Sequence, residues 1–481
     1  MIRSLWNKLS DPDRALQGVT SSLIEAAAIK YALAVRPERY RPDKPLKLLF
    51  AGYAGTRNTG SDLRTEEMIR QLRTIMGEEQ VEFSCLTFDP ALTAGYFRGV
   101  RQVHMPQLFP PFLFDECPKH HGVIACEGSM FKSKFANALT TMMAGALGLA
   151  SVEGKLSVGY GAEAGDMDDS MQRFVRKHCQ RSLVICRNEP SRKVLEALGV
   201  RTKSGTDTAW TFEPKSPAVG EAMLRDVGWD GRRPLLIVCP INPFCWPARP
   251  DLVRATALGL FGEFRAEHYR SMYFHSWSEQ AEQNYHAYLD GMARGVREFV
   301  KATDAFVACV GMEALDRNAC EELASRLPFG APLFVSDQHD MYTLVSVLRH
   351  AHLLVSSRFH AMVTSMPAGV PAVGVTMDER IQNLLQDSGH PELMLRVTDQ
   401  ELGPRLIELM RSAYAQRERL RHDNRSFIPG QLAKLARMGM DFEDELTRIY
   451  PEFPRRNVER TMQNYLPKLS PFLTQLMEAH A

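Results

Sequence analysis

The chain repeats one local pattern many times: a short apolar run breaks into small or polar residues and is followed by a helical stretch. In the first half these runs lie at 47–55, 81–89, 121–129, 155–163 and 182–189. A second series lies at 234–241, 272–277, 305–312, 331–336, 352–357 and 371–375. Alternating strands and helices predict parallel sheets built from right-handed βαβ units. We therefore expect an α/β protein with two Rossmann-like halves and a central cleft, with ligands at the carboxyl ends of the strands.

The length and the local composition predict the domain organisation. The chain has 481 residues, more than a single hydrophobic core accommodates. A polar stretch rich in proline and glycine at 213–233 is the predicted linker. The predicted units are a helical extension at 1–44, an N-terminal Rossmann-like domain at 45–220 on the acceptor side of the cleft, a C-terminal Rossmann-like domain at 221–400 on the donor side, and a helical tail at 401–481. Apolar residues recur at helical spacing in the extension, namely Leu23, Ile24, Ala27, Ala28, Tyr31 and Ala32.

Composition argues against several classes of protein. The 58 Lys and Arg residues nearly balance the 57 Asp and Glu residues, so the overall charge does not indicate nucleic-acid binding. The 9 cysteines include no CxxC pair and indicate neither a zinc site nor a disulfide framework. No run of about 18 apolar residues predicts a transmembrane helix, and the first residues lack the apolar core of a secretory signal. We expect a cytoplasmic protein, which would meet a lipid-carried substrate at the inner face of the membrane.

The first apolar run leads into a glycine-rich loop at 52–62. Glycines between a strand and a helix let the backbone approach a ligand, and the helix start offers N–H groups to an anion. An arginine in the loop adds a guanidinium for a phosphate or carboxylate. The candidate ligand-contacting residues here are Gly55, Arg57, Asn58, Gly60 and Asp62. The alternative is an ordinary turn with Ser61 or Asp62 as the helix N-cap.

Two other strand ends in the first half carry candidate site residues. Glu127 and Ser129 follow one run and are suited to hold sugar hydroxyls, although a capped turn explains them equally well. Arg187 follows another run, where its charge would lie beside an anionic ligand. The alternative for Arg187 is an ion-paired or surface arginine.

The stretch at 356–392 is the most informative part of the sequence. Arg358 and His360 lie two residues apart at a strand-to-helix junction. There the arginine can hold an anion, and the imidazole can act as an acid or base near neutral pH. Glu379 follows the next strand and can bind hydroxyls.

Other polar residues are predicted to be structural. His120, His121 and His339 lack a third ligand at metal spacing, so no metal site is predicted. His275 and Trp277 could line an acceptor site, but we predict that they pack as part of the aromatic core.

Taken together, these motifs resemble the polysaccharide pyruvyltransferase family. Its members begin with a strand and a loop of the form GxxGxxNxGD, which 52–60 matches. A later segment of the form SRLHA…AGVPV…YDPK…LL is matched by 357–361, 368–371 and 383–385. Shorter matches lie at 128–129, 158–161, 187–200 and Asp207. The sequence departs from the family at Ser61, where an acidic residue is usual, at Phe359, where leucine is usual, and at Glu379, where proline is usual.

The resemblance implies a GT-B-like fold and phosphoenolpyruvate as the donor substrate, with no cofactor or metal required. A pyruvyl group would be transferred to two hydroxyls of one sugar as a ketal, with release of phosphate. The acceptor would be a sugar, an oligosaccharide or a lipid-linked glycan of a surface polysaccharide. Arg358 and Arg187 would bind the donor, and His360 would protonate its methylene carbon. Asp62, Glu127 or Asp207 would act as the base.

Two other functions fit the same sequence. In a GT-B nucleotide-sugar glycosyltransferase, Arg358 would bind a diphosphate and Glu379 a ribose. A noncatalytic glycan-assembly protein would retain the fold after losing the acidic residue at position 61. Released phosphate or released nucleotide distinguishes the two enzymes.

Overall fold

Two parallel sheets organise the fold. The computed structural model describes residues 11–33, 39–251 and 273–479. The first series of strands comprises β1 (Leu46–Ala54), β2 (Val81–Thr87), β3 (Arg101–His104), β4 (Gly122–Ala125), β5 (Leu156–Ala162), β6 (Leu183–Cys186) and β7 (Arg201–Ser204). The second comprises β8 (Leu235–Cys239), β9 (Arg249–Pro250), β10 (Tyr273–Phe274), β11 (Phe306–Gly311), β12 (Leu333–Val335), β13 (Leu353–Ser356), β14 (Ala372–Thr376) and β15 (Met394–Arg396).

The order of strands shows two doubly wound sheets. The first sheet has 7 strands in the order β3-β2-β1-β4-β5-β6-β7, and the second has 6 in the order β12-β11-β8-β13-β14-β15. Every pair within the two sheets is parallel; Phe50 lies opposite Ile124, for example, and Ile237 opposite Leu354. The central strands are buried along their length, as expected when helices cover both faces of a sheet. The predicted α/β class with two Rossmann-like, GT-B-like halves is confirmed.

Helices separate most of the strands. They are α1 (Pro12–Ala32), α2 (Thr59–Met76), α3 (Phe109–Glu116), α4 (Asn137–Val152), α5 (Asp169–His178), α6 (Glu189–Ala197), α7 (Pro217–Asp226), α8 (Glu279–Thr303), α9 (Arg317–Ser325), α10 (Met341–Leu348), α11 (Phe359–Ser365), α12 (Glu379–Asp387), α13 (Leu402–Ala415), α14 (Arg417–Ile449) and α15 (Pro471–Glu478). Among the described residues, no helix is both long and apolar enough to cross a membrane.

The sequence pattern missed four strands, β3, β7, β9 and β15, and misplaced one. β3 and β7 are the edges of the first sheet, and β15 is an edge of the second. Edge strands carry polar, exposed side chains such as Arg101 and Lys203, so they lack the apolar run that identifies a central strand. The predicted strand at 272–277 is wrong as a member of the second sheet. Within its described part, only Tyr273 and Phe274 form a strand, which pairs antiparallel with β9.

The predicted linker at 213–233 contains a helix, α7. The amide of Gly220 in this helix donates to Ser346 Oγ of α10 at 3.1 Å. A side chain at position 220 would collide with the Ser346 backbone, because an added Cβ would lie 2.7 Å from it. The helix therefore packs closely on the second half of the chain. The domain boundary at 220 stays a prediction.

Both terminal regions are helical, as predicted, and the C-terminal region joins the two halves. Helix α13 packs on α8, where Gly295 leaves room for Leu406. Helix α14 starts beside the second sheet, where Asn424 donates to the Val370 carbonyl at 2.8 Å. Its far end reaches the first sheet, where Glu445 accepts two hydrogen bonds from Arg201 of β7, each at 3.0 Å.

Candidate active site

The carboxyl ends of strands from both sheets meet around the glycine-rich loop between β1 and α2. The amide of Thr59 donates to the Met312 carbonyl, which follows β11, at 2.8 Å. The Arg57 carbonyl accepts a hydrogen bond of 2.6 Å from Ser336, which follows β12. These contacts fix the loop of the first half against the strand ends of the second half. The cleft that the sequence predicted is therefore closed at this point by direct hydrogen bonds.

The glycine-rich loop is shaped by its backbone and by one cap. Asn58 is the N-cap of α2, and its side chain accepts from the Ser61 amide at 3.1 Å. Neither Ser61 nor Asp62, the caps that the alternative interpretation offered, is the N-cap. Gly55 has φ of 82°, and a Cβ there would lie 2.5 Å from Thr87. Arg57 has φ of 57° and donates to the Tyr96 hydroxyl at 3.1 Å.

His360 packs directly on the glycine loop. A Cβ added at Gly60 would lie 2.1 Å from His360 Nδ1, so only glycine fits between the loop and the imidazole. The other ring nitrogen, Nε2, lies 3.4 Å from Asp207 Oδ2. The side chain of His360 is 12% exposed. Gly60, Asp207 and His360, which lie far apart in the sequence, thus form one contact.

Asp207 is the centre of a buried ionic network. Its Oδ2 atom lies 3.0 Å from Nε of Arg64 and 3.0 Å from Nη1 of Arg187. Arg64 is fully buried and also donates to the carbonyls of Cys126 and Gly161, at 3.0 and 2.7 Å. Burial raises the pKa of Asp207, but the charges of Arg64, His360 and Arg187 outweigh it and hold that pKa well below its ordinary value. The carboxylate is therefore ionised at neutral pH.

A second set of charges extends the network. Arg187 also forms an ion pair with Glu163, whose other oxygen lies 3.3 Å from Lys132 Nζ. The Lys132 ammonium contacts the Glu379 carboxylate at 2.7 Å. Burial lowers the pKa of Lys132 to about 8, although Asp378 and Glu379 favour its charged form.

Arg380 is the cation of this cluster that follows Glu379 in the chain. Its Nε atom donates to Asp378 Oδ2 at 2.7 Å, and its guanidinium lies 4.6 Å from the ring centre of Phe135. Phe359, at the usual leucine position, stacks under Arg187 with 4.2 Å from the guanidinium carbon to its ring centre. The aromatic rings thus hold two of the four cations in place. The four cations are accompanied by four carboxylates, so the net charge of the cluster is close to zero. The members are Arg64, Lys132, Arg187 and Arg380 with Asp207, Glu163, Asp378 and Glu379.

Two further carboxyl groups, Asp62 and Glu127, lie at the glycine loop. Ser61 donates a short hydrogen bond to Glu127, so the serine at the departing position is paired with a carboxylate. Asp62 is buried, and burial raises its pKa to about 8 despite the nearby Arg57 charge. Asp62 is accordingly protonated at neutral pH. Glu127 is less deeply buried than Asp62 and is only half-buried. Ser129, two residues further on, is also half-buried.

Arg358 points into a different group of charges. Its Nε donates to Asp316 at 2.8 Å, and its Nη2 lies 2.8 Å from Glu313. Arg358 and Asp316 also line a pocket of about 390 Å³ in the second half, together with His275 and Trp277. Trp277 is 75% exposed, so the predicted aromatic packing is wrong for Trp277, whereas His275 packs edge-on against Trp246 with 4.7 Å between the ring centres.

The structure brings most of the predicted site residues to one region but divides them into three groups. His360, Arg187, Asp207 and Gly60 meet directly, Asp62 and Glu127 contact the glycine loop, and Arg358 faces the pocket. Sequence reasoning missed Arg64, Lys132, Glu163 and Arg380. Arg380 could have been identified from the sequence, because it follows Glu379 in the informative segment at 356–392. Nothing in the sequence marks Arg64 as more than an exposed helix residue.

Metal ligation finds no support among the residues that the structure describes. Within 11–33, 39–251 and 273–479, no group of three or more His, Cys, Asp or Glu side chains is arranged to hold a metal ion.

A comparison with protein-family models gives a match. Residues 147–379, a little under half of the chain, match the model described as "Polysaccharide pyruvyl transferase". The matched range includes β5 to β14 and therefore Arg187, Asp207, Arg358 and His360. No curated protein matches the chain.

Solved structures with a similar arrangement have little sequence in common with this chain. UDP-GlcNAc 2-epimerase from Neisseria meningitidis is 12% identical, with a TM-score of 0.46, over 79% of this chain and 94% of that one. The Methanocaldococcus jannaschii UDP-GlcNAc 2-epimerase is 11% identical, with a TM-score of 0.48, over 76% and 92%. E. coli ADP-heptose lps heptosyltransferase II is 12% identical, with a TM-score of 0.38, over 78% and 99%.

The contact between Gly60 and His360 predicts a specific steric effect. Gly60→Ala forces the imidazole away from Asp207, and we expect a loss of about 1–3 kcal/mol in the free energy of unfolding, typical of overpacking. Gly430→Ala is the matched control, because that helical glycine has nothing within 4 Å of an added Cβ. There we expect a gain of up to about 1 kcal/mol. Chemical denaturation measures both, and equal effects of the two changes would contradict the packing described.

Asp62 predicts a pH dependence of stability. Its pKa is about 8 in the folded chain against 3.8 ordinarily, so the folded state holds a proton that the unfolded state loses as the pH rises from about 4. The protonated carboxyl stabilises the fold at low pH, and this contribution is lost as the pH rises towards 8. Asp62→Asn should therefore gain stability relative to the unmodified protein between pH 5 and pH 8.5, measured by chemical denaturation.

The control for this prediction is Asp230→Asn. Asp230 is exposed, and hydrogen bonds from the Arg233 and Arg232 amides lower its pKa. Since it is ionised at both pH values, its replacement should shift stability equally at pH 5 and pH 8.5. A flat profile for Asp62→Asn as well would show that Asp62 is ionised in the folded protein.

Proposed function

We propose that this protein transfers the pyruvyl group of phosphoenolpyruvate to two hydroxyls of a sugar in a surface polysaccharide or its precursor. The observation that carries the proposal is His360, held by Asp207 between two buried arginines and the glycine loop. The match to the pyruvyl transferase family model supports the same reaction class. The reaction forms a cyclic ketal and releases inorganic phosphate.

The donor carries a carboxylate and a phosphate, so its site must supply several cations. Arg187, Arg380 and Lys132 lie in one charge cluster beside His360, and each is already paired with a carboxylate. A donor that displaces Glu379 from Lys132 would gain one cation without burying a new charge. Guanidinium groups bind carboxylate and phosphate through two parallel hydrogen bonds, which favours the arginines as the donor clamp. The pairing of Glu379 with Lys132 therefore determines how much positive charge is available to the donor.

Arg358 was predicted from the sequence to bind the donor, and this role stays part of the proposal. Its guanidinium is shared by Asp316 and Glu313, so an anion would have to compete with both carboxylates. Burial raises the pKa of Asp316 to about 6, although Arg358 opposes the shift. Arg358 is therefore the weaker candidate for a donor contact than Arg187 or Arg380.

His360 is the proposed general acid. Burial lowers its pKa, while Asp207 favours the protonated imidazolium. A bound anionic donor would raise that pKa further, because an opposite charge stabilises the charged ring. The ring would then protonate the methylene carbon of the donor as positive charge develops at its C2 atom. Nδ1 is packed against Gly60, so Nε2, which lies 3.4 Å from Asp207, is the nitrogen that would deliver the proton.

The base is assigned by the state of three carboxyl groups. Asp207 is committed to two arginines and has a strongly lowered pKa, so it is a poor proton acceptor. Asp62 is protonated at neutral pH because of burial. Glu127 is half-buried and accepts a hydrogen bond from Ser61, which makes it the proposed base for the attacking sugar hydroxyl. Loss of phosphate from C2 then allows the second hydroxyl to close the ketal.

The function is tested by the products that the purified protein forms. With phosphoenolpyruvate and a sugar acceptor, we expect phosphate release and one deuterium in the methyl group when the reaction runs in D₂O. His360→Gln should lower kcat by about 10²–10⁴, the usual contribution of a general acid. His390→Gln is the control, since His390 also lies near carboxylates, Asp423 at 3.4 Å, but outside the site. Unchanged turnover in His360→Gln, or release of UDP or GDP from a sugar nucleotide instead of phosphate, would overturn the proposal.

The arginines are distinguished by their effect on the two substrates. Arg380→Gln should raise the KM for phosphoenolpyruvate about tenfold or more, because a charge-assisted clamp is lost. Arg358→Lys should raise the same KM if a single ammonium cannot replace a bidentate contact. Arg396→Gln, an exposed arginine of β15, is the control and should change neither substrate's KM. An increase only in the acceptor KM for Arg358→Lys would move this residue out of the donor site.

A further inference from the structure

The pocket beside Arg358 has a composition that suits an anion less well than the His360 cluster does. It measures about 390 Å³ and lies on the side of the second sheet that faces β9 and β10. Its aromatic lining consists of Phe244, Trp246, Phe274, Trp277 and Tyr285. Rings of this kind offer flat apolar faces with a polar edge, which suit ligands that are apolar on one face and hydroxylated on the rim.

The charged residues of the pocket are mainly acidic. Glu282, Asp316 and Glu322 line it, and Arg358 is the lining arginine. Arg358 is already paired with Asp316 and with Glu313. Glu322 accepts from the Tyr285 hydroxyl at 3.2 Å and from Arg326, which is not among the lining residues, at 3.4 Å, so one wall combines a paired carboxylate with an aromatic ring. A phosphate, a nucleotide or a uronate would meet excess negative charge here, whereas neutral hydroxyls would meet acceptors.

The pocket and the His360 cluster share two loops as a common wall. In the loop after β13, Arg358 lines the pocket, and His360 two residues later contacts Asp207. In the loop after β14, Met377 lines the pocket and Asp378 belongs to the charge cluster. A ligand in the pocket is therefore separated from the donor cluster by the thickness of one loop.

Aromatic contacts join the two sites as well. Trp246 of the pocket packs edge-on against Phe135, with 5.3 Å between the ring centres, and against His275, at 4.7 Å. Phe135 in turn supports Arg380 of the charge cluster. One continuous set of side chains thus runs from the pocket to the cations of the proposed donor site.

We infer that this pocket binds an uncharged sugar ring of the acceptor, with Trp246 and Trp277 as stacking surfaces and Glu282 and Glu322 as hydroxyl acceptors. The inference rests on the proposed function and deepens it: the acceptor binds in the second half of the chain, and a ring bearing a carboxylate or phosphate is rejected. The anionic donor and the neutral acceptor then enter from the two sides of the Arg358–His360 loop.

The binding test contains no donor and requires no turnover. Saturation-transfer NMR is measured on the full chain with methyl glycosides of glucose, galactose, mannose and their N-acetylated amino sugars, and with methyl glucuronide and UDP. We expect transfer to at least one neutral glycoside and little to the glucuronide or UDP. Trp277→Ala should weaken that neutral binding about tenfold, as expected when a stacking face is lost. The expected control is Phe329→Ala, which removes another exposed aromatic ring, 48% exposed, away from the pocket.

The possible outcomes separate this inference from the proposed function. Binding of a neutral glycoside that depends on Trp277 supports the pocket even if no phosphate is released from phosphoenolpyruvate. Phosphate release with an acceptor KM that is unchanged in Trp277→Ala supports the function and overturns the pocket. No binding by any neutral glycoside, or UDP binding that Trp277→Ala abolishes, also overturns it. Glu282→Gln adds a charge test: it should increase glucuronide binding relative to the neutral sugar, and an unchanged ratio counts against the assigned charge selection.

Discussion

The carboxylate of Asp207 is the contact on which the site depends. It joins Arg64 of α2, Arg187 after β6 and His360 of α11, so one buried anion ties together the first sheet, the glycine loop and the second half. Each charge would be costly to bury alone, and removal of one partner from such a network typically costs about 3–5 kcal/mol. Arg64 makes the arrangement possible, because its remaining N–H groups are used by two strand-end carbonyls.

This network fixes the position of the imidazole. Gly60 removes the side chain that would separate the loop from His360, and Asp207 holds the opposite edge of the ring. Such preorganisation is useful in a reaction where a proton must reach carbon, because little reorganisation is left for the reacting state. The serine at position 61 fits the same arrangement. It donates to Glu127, so the missing acidic group is replaced by a hydrogen bond to a carboxylate from the neighbouring strand end.

The balance of charges separates the two proposed substrates. The His360 cluster contains four cations and four carboxylates, and one of these, Glu379, is partly exposed and can yield its ammonium partner to an anion. The pocket beside Arg358 contains more carboxylates than cations and several aromatic rings. In the proposal, the anionic donor binds on the side of the loop that carries the cations. The neutral acceptor binds on the other side, where the excess of carboxylates repels anions. The loop between the His360 cluster and the pocket carries both Arg358 and His360. This is why the two residues appeared as one motif in the sequence.

The sequence alone determined the class of fold, the central strands, both terminal helical regions and the importance of the Arg358–His360 segment, because buried strands and glycine turns have strong local patterns. The sequence did not predict edge strands such as β3 and β7, because their side chains are polar on both faces. Only the tertiary structure decided which charges meet. Arg64 and Lys132 look like surface residues in the sequence, and their burial depends on carboxylates far along the chain. The pocket formed by Trp246 and Trp277 was equally hidden, because its walls come from separate segments that packing alone brings together.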